Sequence, residues 1–260
     1  MGGRQGTRWD VRRFASIDST NTALLAAARD GAPEGVVYVA DHQTAGRGRL
    51  DRRWEAPPGS SLLVSVLLRP SITASQAHWV TAAVGLAASD ACAAVTGFEP
   101  LLKWPNDLVV DDRKLGGILA EAVVEGGSVR AVVVGMGLNV NWPEPLPDDL
   151  ASTATACNLV VGHHVDRDEL LDAFLDCLAV RYDALEWPSM LSDVRGRSAT
   201  LGRDVRVELP GDRVLVGRAA DLAEDGALLV ETRPGEVIRV SVGDVVHLRP
   251  TDRGSAPPGP

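Results

Sequence analysis

The sequence predicts an α+β domain followed by a small all-β barrel. Three observations predict it. Up to about residue 197, apolar runs with helical spacing alternate with strand-like runs in no regular βα order. From Ser198 onward only short alternating runs between glycines remain. The chain has 260 residues, 45% of them hydrophobic and 23% charged, which is enough to bury a core without disulfides or metals.

Each element follows from its local pattern. Ser19 or Thr20 can cap a helix over 21–30, with Leu24, Leu25 and Ala28 on one face and Gly31 as the stop. Residues 36–40 and 62–68 read as buried strands, separated by a polar stretch rich in glycine and arginine. Residues 76–95 form a long alanine-rich helix with Trp79, Ala83 and Leu86 at helical spacing. Short strands are expected at 101–104, 108–110, 117–124 and 129–135. An amphipathic helix at 168–185 carries Leu171, Phe174, Leu175 and Leu178. The barrel strands are 205–207, 214–216, 228–230, 237–240 and 245–248, with turns marked by Gly211, Gly226, Gly235 and Gly243. A Pro/Gly/Ser-rich tail at 251–260 reads as disordered. The expected division is therefore 1–197, 198–250 and 251–260.

Composition narrows the function. A net charge of −9 and a pI near 5.0 oppose a chain-wide binder of nucleic acid or anionic membrane. No run approaches the roughly 18 apolar residues of a membrane span, and the polar start lacks a signal peptide's apolar core. Cys92, Cys157 and Cys177 are too few and too scattered for a disulfide framework or a zinc site. A reducing cytoplasm is the expectation. Only two of the 26 basic residues are lysine, Lys103 and Lys114, and both sit among turn-forming residues. Base composition explains the arginine bias. A compact ammonium kept at two such places still marks candidates for chemistry.

Three segments carry chemical signals. Between Gly46 and Trp54, four arginines (Arg47, Arg49, Arg52, Arg53) stand against one aspartate, Asp51. Gly46 and Gly48 let the backbone approach a ligand, the guanidinium forks suit phosphate or carboxylate oxygens, and Trp54 can stack on a base. The same composition also describes a solvated surface loop. Lys103-Trp104-Pro105-Asn106-Asp107 reads as a turn between strands, and Lys114 precedes a glycine pair where an ammonium can meet an anion. Val132 to Gly135 reads as a buried strand opening into a glycine turn at Gly137-Leu138-Asn139, from which Asn139 can reach an adenine edge or cap its own turn. There is no P-loop, no dinucleotide fingerprint and no nucleophile elbow.

Ser19-Thr20-Asn21, Gln43 to Arg49, Lys103 to Asp107, Lys114 to Leu119 and Gly135 to Asn139 together resemble, in order and spacing, the biotin protein ligase family. The resemblance runs from about Ser19 to Leu248. Asp51 stands where a glycine is common in that family, and only 18 residues precede Ser19, which points to the form without an N-terminal DNA-binding domain. The resemblance implies a class II synthetase-like domain with a mixed or antiparallel sheet, then an SH3-like barrel. It implies activation of biotin by ATP, with Mg²⁺, to biotinyl-AMP, and transfer to a lysine of a biotin carboxyl carrier domain of acyl-CoA carboxylases.

Residue roles follow from the same resemblance. Ser19, Thr20, Asn21, Gln43, Gly46, Gly48 and Gly135 fall to biotin. Arg47, Arg49 and Lys114 fall to biotin and to catalysis, with Lys114 bridging the carboxylate and the α-phosphate. Arg49, Arg52, Trp54, Asn106, Asp107, Lys114 and Asn139 fall to ATP. Metal ligands stay unassigned, and Asp107 is a candidate proton acceptor in transfer. The arginine loop is expected to be mobile until an anion neutralises it. The alternatives are a lipoate-protein ligase or transferase of the same superfamily and a DNA-binding regulator. Specific DNA binding and membrane binding are not expected.

Overall fold

The computed structural model describes residues 9–248 apart from 127, 149 and 186. The tail expected at 251–260 and the last two residues of the barrel range lie outside the described residues. Seven strands form the main sheet: β1 (Asp10–Phe14), β2 (Val36–Ala40), β3 (Ser61–Leu68), β4 (Leu101–Lys103), β5 (Asp107–Val110), β6 (Arg113–Glu125) and β7 (Ser128–Asn139). Their order is β1-β2-β3-β7-β6-β5-β4. β1 runs parallel to β2, and every other neighbouring pair is antiparallel. This is the mixed sheet that the sequence predicts.

Side-chain alternation explains how the sheet is covered. β3 is buried at all its positions, because successive residues point to opposite faces and both faces are occupied. Leu62, Val64, Val66 and Leu68 share a core with the helices α2 (Ala77–Thr96) and α4 (Arg167–Asp183). Leu67 shares another with Leu24, Leu25 and Ala28 of the helix α1 (Thr20–Arg29). Ser19 caps α1, accepting from Thr22 N, so Thr20 is the first helical residue rather than the cap. Asp166 caps α4 by accepting from Asp168 N and Glu169 N. α2 ends at Gly97 in the left-handed conformation (φ 77°).

By length and apolarity α2 also passes as a membrane span, contrary to the expectation from the sequence. Ten of its residues are buried inside the protein. Val80, Val84, Ala88 and Ala91 face the main core, while Ala83 and Leu86 face a second one.

That second core lies under β8 (Asp204–Leu209), β9 (Arg213–Leu222), β10 (Leu228–Arg233), β11 (Glu236–Val240) and β12 (Asp244–His247). These form an antiparallel sheet in the order β11-β10-β9-β8-β12. Among the described residues no β11–β12 pairing closes it, so the expected barrel is an open, five-stranded sheet by hydrogen bonding. Gly211, Gly226 and Gly235 have positive φ, as turn residues do; Gly243 does not. Three further elements escaped the sequence reading: β1, α3 (Cys157–Val161) and α5 (Trp187–Gly196). β1 is an exposed edge strand with two arginines in five residues, and α3 is too short to show a period.

Two kinds of contact join the sheets. Residues 197–199 add to the edge of β4 through Leu102 N to Arg197 O and Ala199 N to Leu102 O, both 2.9 Å. Side chains then reach across. Trp104 Nε1 donates to Gly226 O (2.9 Å), and Arg203 forks onto the Asp112 carboxylate, which also accepts from His247 Nδ1 (3.1 Å).

The Arg203 hydrogen bonds hold the Asp112 carboxyl at about 2, below its ordinary 3.8. A depressed carboxyl stabilises the fold fully above its unfolded value, and that stabilisation disappears as pH falls through the folded value. Asp112→Asn should therefore lower the urea midpoint at pH 5 to 7. The difference from wild type should shrink below pH 3.8 and be nearly gone at about 2. Urea titrations across this range check it; a constant difference would disprove it.

Candidate active site

A cleft opens over β6 and β7 beneath the arginine segment. Its floor is glycine for steric reasons. A Cβ on Gly135 would overlap the Asn21 side chain, one on Gly137 would overlap the Trp54 ring, and one on Gly117 would sit 3.2 Å from Lys114 Nζ. Gly135, Gly137 and Asn139 all lie within β7, so the glycine turn expected there is strand instead. The glycines admit neighbouring side chains and do not bend the chain.

At one end the cleft is a chain of neutral polar groups. Ser65 Oγ lies 2.7 Å from Asn21 Oδ1 and 2.8 Å from Thr20 Oγ1. Thr20 donates from its backbone N (2.8 Å) and its hydroxyl (3.0 Å) to Gln43 Oε1. Asn21 Nδ2 donates to Leu119 O and to Glu121 Oε2. Ser19, Thr20, Asn21 and Ser65 are all buried. A buried polar group must be satisfied, and this chain holds each member in one orientation.

The arginine segment forms a small hairpin. Arg47 pairs with Arg53, Gly48 N donates to Arg52 O (2.7 Å), and Arg52 N donates to Arg49 O (3.2 Å). Leu50 (φ 54°) and Asp51 (φ 57°) are both left-handed, the geometry of a type I′ turn, which favours glycine or asparagine. Asp51 thus occupies a position that suits the glycine common in the resembling family. Carboxylates meet the charge. Arg47 forks onto Glu121 (3.1 and 2.9 Å), while Arg49 and Arg52 reach Asp244 of β12 at 3.5 and 2.6 Å. Burial lowers the Arg49 pKa, and Asp244 and Asp107 oppose that shift. The repulsion expected to make this loop mobile is met by these partners.

Lys114 stands at a β-bulge. Leu108 pairs with Gly116 but Val109 pairs with Lys114, leaving Leu115 as the extra residue. Without the bulge Lys114 would share a face with Gly116; with it, Lys114 joins Asp107 and Gly117. Its Nζ lies 2.7 Å from Asp107 Oδ1 and 5.7 Å from the centre of the Trp54 ring. Its backbone is held from the other side by Thr153 O and Thr155 N. Asn106 accepts from Arg49 Nη1 (3.1 Å) and donates to Ile118 O (2.7 Å).

Most sequence-derived candidates therefore meet in one cleft: Ser19, Thr20, Asn21, Gln43, Arg47, Gly48, Arg49, Arg52, Trp54, Asn106, Asp107, Lys114 and Gly135. Two do not line it. Asn139 is buried with its amide nitrogen on Thr155 O (2.9 Å). Gly46 lies behind Trp54, where a Cβ would strike the Trp54 carbonyl. Lys103 lies in an adjoining chamber, its pKa lowered by burial. Sequence reasoning missed Ser65, Glu121 and Asp244. Ser65 carried a signal, as the one polar residue inside the apolar run of β3. Glu121 and Asp244 carried none in a chain with 35 acidic residues.

Residues 13–139 match the Biotin/lipoate A/B protein ligase family, and residues 200–248 match the Biotin protein ligase C terminal domain. The chain is 40% identical over 254 residues to the biotin–[acetyl-CoA-carboxylase] ligase of Mycobacterium tuberculosis, covering 94% of this chain and 91% of the relative. It belongs to the biotin/lipoate A/B protein ligase family. Another relative in this family is the bifunctional ligase/repressor BirA of Bacillus spizizenii, 33% identical, with 84% of this chain and 68% of that protein covered. Among solved structures of the family, the biotin protein ligase of Aquifex aeolicus in complex with biotin and ATP superposes with a TM-score of 0.77. It is 27% identical and covers 92% of this chain and 98% of its own.

Gly137→Ala should drive a methyl group into the Trp54 ring. Overpacking of this kind costs about 1–3 kcal/mol in urea unfolding. In a Trp54→Ala background the same change should cost clearly less, and equal costs in the two backgrounds would show that the ring does not set the glycine.

Proposed function

We propose that this chain is a biotin–[acetyl-CoA-carboxylase] ligase. It joins biotin to AMP at the expense of ATP and passes the biotinyl group to a lysine of a carboxylase's biotin carboxyl carrier domain. The observation that carries the reading is the cleft itself. One end is a neutral, hydrogen-bonding chain, the other a set of cations with an indole, and Lys114 stands with the cations. The relatives named above support biotin as the acid and acetyl-CoA carboxylase as the acceptor. In this reading 1–197 is the catalytic unit and 198–250 its companion, and the three free cysteines suit a reducing cytoplasm.

The chemistry follows from the charges. A carboxylate is a poor acylating agent, so its oxygen attacks the α-phosphorus of ATP and pyrophosphate leaves. Two anions must first be held together. Thr20, Asn21, Gln43 and Ser65 orient the neutral ureido ring, which offers one acceptor and two donors. Arg47, Arg49 and Arg52 exchange their carboxylate partners for substrate oxygens, and Trp54 offers its face to adenine. Lys114 turns from Asp107 to the carboxylate and the α-phosphate. Asp107, having lost its cation, becomes a better proton acceptor for the carrier's lysine, whose amine attacks the anhydride carbonyl and expels AMP. No cluster of three metal-binding side chains occurs among the described residues. Asn106 is a neutral oxygen donor near Lys114, which fits a Mg²⁺ that would be held chiefly by ATP oxygens and would supply charge neutralisation there.

Pyrophosphate release should require biotin and fail with lipoate or with no acid; release with lipoate alone would overturn the assignment. Lys114→Ala should lose roughly 10² to 10³ in adenylation rate with far-UV CD unchanged. Lys114→Arg should recover little, since a wide guanidinium cannot sit between two close anions. Near wild-type turnover in Lys114→Arg would show that general positive charge suffices.

A further inference from the structure

The Asp107–Lys114 pair sits between two turns, and the C-terminal side of the molecule holds both. The first turn begins at Trp104, whose backbone N donates to Thr200 Oγ1 (3.1 Å). The second contains Asp111 (φ 50°) and Asp112 (φ 63°). They form the two-residue turn that joins β5 to β6. Here Arg203 forks onto the Asp112 carboxylate and His247 approaches it at 3.1 Å. His247 Nε2 lies 3.4 Å from the same Thr200 hydroxyl.

Trp104 N–H donates to Thr200 Oγ1, and Asp112, which can only accept, faces His247 Nδ1. With a neutral imidazole the Thr200 hydroxyl is the donor to His247 Nε2. Burial lowers the His247 pKa, and the nearby cations Arg203 and Lys103 lower it further, against Asp112.

We propose that Thr200, Arg203 and His247 are positioning residues that aim the Asp107–Lys114 pair by gripping the two turns on either side of it. None of them lines the cleft. Lys114 follows Asp112 by two residues and Asp107 follows Trp104 by three, so a shift of either turn moves one member of the pair. The proposal rests on the ligase reading, because the quantity it affects is the adenylation step.

The test is a double-mutant cycle on pyrophosphate release, measured with the full chain, biotin and ATP. Arg203→Ala should lower kcat on the order of 10- to 100-fold through misplacement alone, with the KM for biotin nearly unchanged. In a Lys114→Ala background the same substitution should have almost no further effect, because the group it aims is gone. Arg203→Lys, which keeps charge but not the fork, should fall between. If Arg203→Ala does not fold by far-UV CD, Asp112→Asn carries the same cycle. An equal fold-loss in both backgrounds, or a lower Tm with unchanged kcat, would overturn the proposal. Failure of the wild type to release pyrophosphate with biotin would instead overturn the ligase reading.

Discussion

Four cations of the cleft, which on the proposed reading bind two anions, already have fixed partners. In this protein each is held by a carboxylate from a different part of the fold: Glu121 of β6 for Arg47, Asp107 of β5 for Lys114, Asp244 of β12 for Arg49 and Arg52. Exposed pairs of this sort contribute only about 0–1 kcal/mol each, so their value is positional. They fix where the arginine hairpin, the lysine hairpin and the C-terminal sheet stand relative to one another. On the proposed reading, a substrate oxygen replaces a carboxylate at an existing distance and does not have to order a disordered side chain.

The backbone beneath those charges obeys the same economy of space. β6 and β7 are long, regular strands whose glycines remove side chains where Asn21, Trp54 and Lys114 must pass. One extra residue, Leu115, changes the face to which Lys114 points, while Leu115 itself is fully buried in the core. Removing that one residue would turn the ammonium to the other face of the sheet.

These features explain what could be read from the sequence and what could not. The helix at Leu24, Leu25 and Ala28, the buried run of β3 and the leucine stripe of α4 are periodic, and periodicity survives in one dimension. The arginine segment and the two lysines stood out because they break the chain's own habits. The bulge at Leu115 left no trace, since a buried leucine reads the same in a regular strand as in a bulge. Asn139 misled for a related reason. An asparagine beside glycines suggests a turn, yet those glycines serve neighbouring side chains and Asn139 ends a strand, with its amide on Thr155 O. Glu121 and Asp244 became meaningful only when folding set them opposite arginines 74 and more than 190 positions away.

The scarcity of lysine has a consequence for an enzyme whose intermediate acylates amines. An acyl anhydride that escapes the cleft meets a surface whose cations are guanidinium groups, which stay protonated and are poor nucleophiles at neutral pH. The chain has lysine only at 103 and 114, the first in the chamber beside the cleft and the second ion-paired inside it. Whatever set the arginine bias, it leaves the protein with almost no lysine side chains of its own to consume the reagent it makes.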